Sequence, residues 1–291
     1  MFKKSIAAVA ALGVSALSFA DVSITGAYEG EFSNGGSGAY EYTQDLDLVV
    51  RGRQGESTVT VTLEDLGADA NDSTVSTNQV WIDTKLAGLD VMAGKKKGQN
   101  GNGLLQKASA ASQKFSVSTN VGPAGVKATQ ASGDGNAKLD ASFDLAGVAV
   151  KAQNVTNDAR FISLGYSING IDVAYETNEA SVGKTNTAYS VGGKVGPVGV
   201  TYVNIDIEDA AGVTQDDGIL GDISDAVAGK DLNGVVGTLD VAEVGTVTGK
   251  YINKNDLTTM VAKVERGIWE VSASKTENAD TTFGAKMNIT F

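Results

Sequence analysis

The sequence predicts an all-β fold, a transmembrane antiparallel β-barrel, from three observations. Apolar and polar residues alternate along most of the chain. Very short glycine-centred connections alternate with longer polar ones. The last ten residues alternate strictly up to a terminal Phe291. No helical stripe persists for three turns.

The first twenty residues stand apart. Met1, Phe2, Lys3 and Lys4 form a short basic start, residues 6–17 are apolar or small, and Ser18-Phe19-Ala20 puts small side chains three and one residues before Asp21. This is the order of a cleaved export signal. A membrane-spanning helix needs about 20 apolar residues, more than this stretch supplies. The barrel is therefore expected over residues 21–291. Removing Lys3 and Lys4 leaves 21 basic against 35 acidic residues, a net charge of −14.

The strands follow in order. In residues 21–32, Val22, Ile24, Tyr28 and Phe32 share one face, with Gly26 and Gly30 between them, and Ser23, Thr25, Glu29 and Glu31 share the other. Residues 40–51 repeat this, with Tyr40, Tyr42, Leu46, Leu48 and Val50 against Glu41, Thr43, Asp45, Asp47 and Arg51. Next come Val59, Val61 and Leu63 against Thr58, Thr60, Thr62 and Glu64. Successive side chains on a strand point to opposite faces, so each segment has an apolar side and a wet side.

Tight turns are expected at Ala87-Gly88, Ala146-Gly147, Asn169-Gly170 and Arg266-Gly267, and slightly longer ones at residues 121–125 and 196–199. Glycine there takes the positive φ that a two-residue hairpin needs. The other connections, at residues 33–39, 67–76, 95–113 and 206–230, are long and polar. Short periplasmic turns and longer extracellular loops are the asymmetry of an outer-membrane barrel, whose strands of some 9–11 residues cross an apolar band about 25 Å tall. A soluble β-sandwich also has short alternating strands, but here the hairpins run through the whole chain behind an export signal. The count comes to 18 strands, or 16 if a hairpin within 206–241, where periodicity is blurred and aspartates crowd, is loop. Either number encloses a water-filled lumen.

Composition removes several function classes. There is no cysteine and no histidine, so neither disulfides, Cys/His metal sites nor a Ser/His/Asp triad can be assembled. The acidity argues against nucleic acid. Carboxylate pairs such as Asp45 and Asp47 read as solvated lumen charges. No cofactor, metal or enzymatic activity is expected.

The chain resembles the Gram-negative general (trimeric) porins of proteobacteria. Asp21-Val22-Ser23-Ile24-Thr25-Gly26 is similar to that family's first strand. Phe283, Ala285, Met287, Ile289 and Phe291, alternating with polar or small residues, resemble the terminal strand read by the barrel-assembly machinery. Leu89-Asp90-Val91-Met92-Ala93-Gly94-Lys95 is similar to the porin strand that ends in glycine and a basic residue. It precedes the connection where porins fold a third loop inward. The family's Pro-Glu-Phe-Gly-Gly motif is absent, the basic residue is lysine where arginine is usual, and aromatics are sparse at 6%. The resemblance implies a homotrimer in the outer membrane, in contact with lipid and lipopolysaccharide, passing small hydrophilic solutes.

Candidate constriction residues are Lys95, Lys96, Lys97 and Lys107, with Arg51, Lys85, Asp45, Asp47 and Asp83 on inward-parity wall positions. Lys127, Lys138 and Lys151 share that parity, as do Glu29, Asp90, Asp140 and Asp144. Rings of charge set pore selectivity. The lysine cluster has two readings, an anion-attracting constriction or a solvated loop. The acidic stretch 206–231 likewise reads as a solvated loop outside the barrel or as a cation site bridging to lipopolysaccharide. Three functions remain open: a general diffusion pore, an anion- or phosphate-selective pore, and a non-transporting barrel whose loops bind a partner.

Overall fold

The computed structural model describes residues 21–34, 40–64, 76–99, 103–105, 108–133, 135–156, 160–181, 183–210, 218–221, 223, 225–230 and 232–291. The expected export signal and Lys107 lie outside them.

Among the described residues the chain forms eighteen strands in one closed antiparallel sheet. The first six are β1 (Asp21–Asn34), β2 (Tyr40–Gln54), β3 (Ser57–Glu64), β4 (Ser76–Leu86), β5 (Leu89–Gln99) and β6 (Ala108–Val121). The next six are β7 (Ala124–Ala131), β8 (Lys138–Leu145), β9 (Val148–Gln153), β10 (Phe161–Ile168), β11 (Ile171–Ser181) and β12 (Lys184–Val195). The last six are β13 (Val198–Asp206), β14 (Leu232–Val241), β15 (Gly245–Lys254), β16 (Leu257–Arg266), β17 (Trp269–Thr276) and β18 (Thr281–Thr290). Each strand pairs with its successor, and β18 closes on β1 with Ala27 opposite Thr290 and Asn34 opposite Phe283. Closure leaves no sheet edge with unpaired backbone groups, the requirement for a sheet in lipid.

The expected faces appear as rows across the sheet. Ile24, Val50, Val61 and Val80 lie side by side on β1–β4, while Ser23, Arg51, Thr60 and Trp81 form the adjacent row on the other face. The apolar side points outward: Ile24 is 56% exposed, and Phe32, Tyr42, Phe115, Val271 and Phe283 are exposed with it. The polar side faces the lumen.

Three of the four two-residue turns form where expected, and the fourth is shifted by one residue to Gly267-Ile268, because Arg266 still pairs with Trp269. Ala87-Gly88 takes φ values of 52° and 82°, Ala146-Gly147 of 52° and 85°, and Asn169-Gly170 of 52° and 78°. Two consecutive positive φ values are those of a type I′ turn, whose twist matches the flanking strands. The strand count is 18, since β14 and β15 pair over ten residues. The connection expected over 95–113 is much shorter, because β5 continues to Gln99 and β6 begins at Ala108, with a register irregularity between Lys96 and Gly98.

The principal apolar core lies inside the barrel. Ile207, Leu220, Ile223 and Ala226, from the connection between β13 and β14, are buried together with Leu104 and Leu105 of the β5–β6 connection. They pack on inward-facing Phe161, Ala188, Val203, Ile205, Leu232, Val236 and Ile252. This corrects the expectation that 206–231 is a solvated loop outside the barrel. Ile207, Leu220, Ile223 and Ala226 form a stopper against the β10–β15 wall, because that wall offers apolar lumen positions that water would otherwise wet, while Ile219 and Val227 stay exposed.

Candidate functional site

The lumen divides into two halves of different chemistry. Along β3–β9 it remains open as a cavity of about 1070 Å³ lined by charged and hydroxylated side chains, among them Asp83, Lys96, Lys114, Lys127, Asp140 and Lys151. These residues recur at every second position on neighbouring strands, so the period of two that makes the outside apolar also collects the charges inside. Lys127 lies opposite Asp140 and Lys85 opposite Asp90 across strand pairs.

The sequence-derived candidates distribute as follows. Lys96 faces the lumen, with Nζ 4.6 Å from the centre of the Trp81 ring and 3.9 Å from Asp83. Trp81 donates its indole N–H to Asp83 at 2.6 Å. Lys97 reaches the lumen through the irregularity in β5 and pairs with Glu64 at 2.9 Å. Lys85 pairs with Asp90 at 3.5 Å. Arg51 shares the inward row of Thr60 and Trp81, while Asp45 and Asp47 lie opposite Glu29 and Ala27. Lys95 differs. It pairs with Val80 and Gln113, which extend the outward row from Ile24, so its side chain belongs to the outer face. Adjacent residues of a regular strand point to opposite faces, so Lys95 is separated from Lys96, while the irregularity after Lys96 lets Lys97 join Lys96 in the lumen. Gly94 is required beside them: its φ is +132°, and a Cβ there would sit 2.3 Å from the Val80 carbonyl oxygen.

Several lumen residues escape the candidate set. Lys114 lies within electrostatic range of Lys96, Lys127 and Lys138, and no carboxylate is seen bonded to it among the described residues. The facing wall carries Lys286 paired with Glu29 at 2.5 Å, and Lys263 between Glu265 at 3.1 Å and Glu270 at 3.3 Å. Strand parity was the signal for all of these. Lysines therefore dominate around Lys114 on β5–β8, and carboxylates are concentrated on β1, β2, β16 and β17.

The other half of the lumen is stoppered near its loop end. Glu176 on β11 is fully buried and accepts the backbone N–H groups of Leu104 and Leu105 on one oxygen, both at 2.8 Å. Residues 103–105 thus lie inside the barrel, six strands from where their connection begins. Asn186 on β12, also fully buried, accepts the N–H groups of Glu208 and Asp209 at 2.8 and 2.9 Å and donates to the Asp209 carbonyl at 2.7 Å. Buried polar groups persist where such partners exist. Toward the turn end the lumen widens into a second cavity of about 1000 Å³, walled by small residues such as Gly165, Ala174, Gly192 and Thr201 and touched by Ile219 of the stopper segment. Lys151 borders both cavities.

No protein-family model and no curated protein sequence matches the chain. Solved structures match its fold. OccK2 (OpdF) of Pseudomonas aeruginosa superimposes with a TM-score of 0.64 at 11% identity, over 94% of this chain and 98% of that one. OccK8 (OprE) of the same organism gives 0.60 at 11%, over 95% and 99%. A substituted variant of the Rh. blastica porin gives 0.55 at 11%, over 93% and 100%. The chain therefore has the fold of the large porin barrels.

Proposed function

We propose that this protein is a porin of a Gram-negative outer membrane, allied to the general trimeric family, through which small hydrophilic solutes and ions diffuse passively. The observation that supports this best is the half of the lumen along β3–β9, which is left open, polar and charged while apolar residues cover the outside. A barrel serving only as a scaffold for binding loops has no need of an unfilled lumen. Cleavage after Ala20, assembly as a homotrimer and contact with lipopolysaccharide belong to the same proposal.

Reconstitution of the purified barrel in a planar bilayer tests it. Stepwise currents proportional to salt concentration are the expected result, and membranes that stay at baseline conductance would falsify it. A preference for anions is a second reading, supported by Lys114 and its lysine neighbours. Carboxylates on the same conduit, among them Asp83, Asp90 and Asp140, act against it, so the balance is local to the lysines around Lys114.

A further inference from the structure

We propose that Glu176 is the positioning residue that sets the cross-section of the pore, a role that rests on the porin reading above. Glu176 does not line the open cavity, so it acts through the residues it holds.

Three observations converge on it. Its carboxylate is the sole anchor seen, among the described residues, for the backbone N–H groups of Leu104 and Leu105. Those leucines are 2% and 0% exposed, packed in the cluster with Ile207, Leu220 and Ile223 from the β13–β14 connection. Below that cluster, the wall of β9–β14 opens into a second cavity almost as large as the first. Two segments far apart in sequence thus pack together inside the lumen, the first held by Glu176 and the second by Asn186, and take up cross-section beside the second cavity.

The chemistry explains why a fully buried carboxylate stands here, opposite Ser163 and beside the leucines. Burying two N–H groups without partners carries a desolvation penalty for each. One ionised oxygen that accepts both removes it with short, charge-assisted bonds. An apolar residue at this position would leave both donors orphaned, and the 103–105 segment would then be better solvated away from the wall. Glutamine retains a carbonyl acceptor at the same reach, so the uncharged amide should still hold the segment.

The test is single-channel recording with polymer exclusion on Glu176→Leu, Glu176→Gln and the double variant Leu104→Ser/Leu105→Ser, each first shown to be folded by heat-modifiable migration and protease resistance. Glu176→Leu and the double variant should both raise conductance, by roughly twofold given two cavities of similar size. Both should also admit larger polyethylene glycols, while Glu176→Gln should stay near the parent level. Folded variants with the parent conductance and the parent polymer cut-off overturn the proposal. Should Glu176→Leu fail to fold, Glu176→Ala takes its place, since it removes the acceptor without adding a bulky apolar side chain, and the same outcomes decide. A parent protein without current overturns the porin reading itself and this role with it. A conducting parent with unaltered variants overturns only the role of Glu176.

Discussion

Gly26 and Phe291 exchange both of their backbone hydrogen bonds, at 2.8 and 3.0 Å, and the Phe291 ring occupies the space that a side chain at residue 26 would need. A Cβ on Gly26 would lie 2.6 Å from the ring edge and 2.9 Å from both the Asp47 carbonyl oxygen and the Leu48 side chain. The terminal aromatic, expected as an assembly signal, is thus also a packed part of the β1–β18 seam. Gly26→Val should destabilise the barrel by about 1–3 kcal/mol through overpacking. Phe291→Ala should relieve part of that cost, so the double variant is less destabilised than the sum of the two singles. Urea unfolding in lipid vesicles measures the cycle. Strict additivity would show that ring and glycine do not interact.

The two tryptophans report on opposite faces. Trp81 lies in the lumen between Asp83 and Lys96, whereas Trp269 is on the outward row opposite Met287 and is 55% exposed. In vesicles, the emission of Trp269→Phe should be quenched by aqueous iodide and only weakly by brominated lipid. Trp81→Phe should behave in reverse. The same quenching pattern in both variants would contradict the assignment of faces.

Charge reversal separates Lys95 from its neighbours. Lys96→Glu and Lys114→Glu place a negative charge on the conduit, whereas Lys95→Glu places it on the outer face beside Val80. A unit charge about 4 Å away in water is worth about 1 kcal/mol, roughly a fivefold change in local ion ratio. The zero-current potential in a salt gradient should therefore move toward cation preference for Lys96→Glu and Lys114→Glu. Lys95→Glu should leave it unchanged, and a comparable shift there would mean that Lys95 reaches the lumen.

Ala87 and Ala146 each hold a φ of 52° in their turns, a conformation that a Cβ disfavours. Asparagine is the residue favoured at that position of a type I′ turn, and Asn169 occupies it in the equivalent Asn169-Gly170 turn. Ala87→Asn and Ala146→Asn should each stabilise the barrel by about 0.5–1 kcal/mol. An unchanged or lowered unfolding midpoint for both would indicate that the turns are of another type.

The sequence by itself determined the closed sheet, its tight turns and which residues face water on most strands. These are local properties: a period of two fixes the face, and a positive φ fixes the turn. It also carried a sign of the stopper, since the blurred periodicity of 206–241 is what results when inward residues such as Leu232 and Val236 are apolar too. Only the tertiary structure decided what covers them. Leu104 and Leu105 find Glu176 across six strands and meet Ile223 from a third segment, and no pattern within one segment encodes that meeting. Lys95 and Lys96 make the same point at a single step of chain. Their adjacency suggested one cluster, but the pleat and the register sent one outward and kept the other in the lumen.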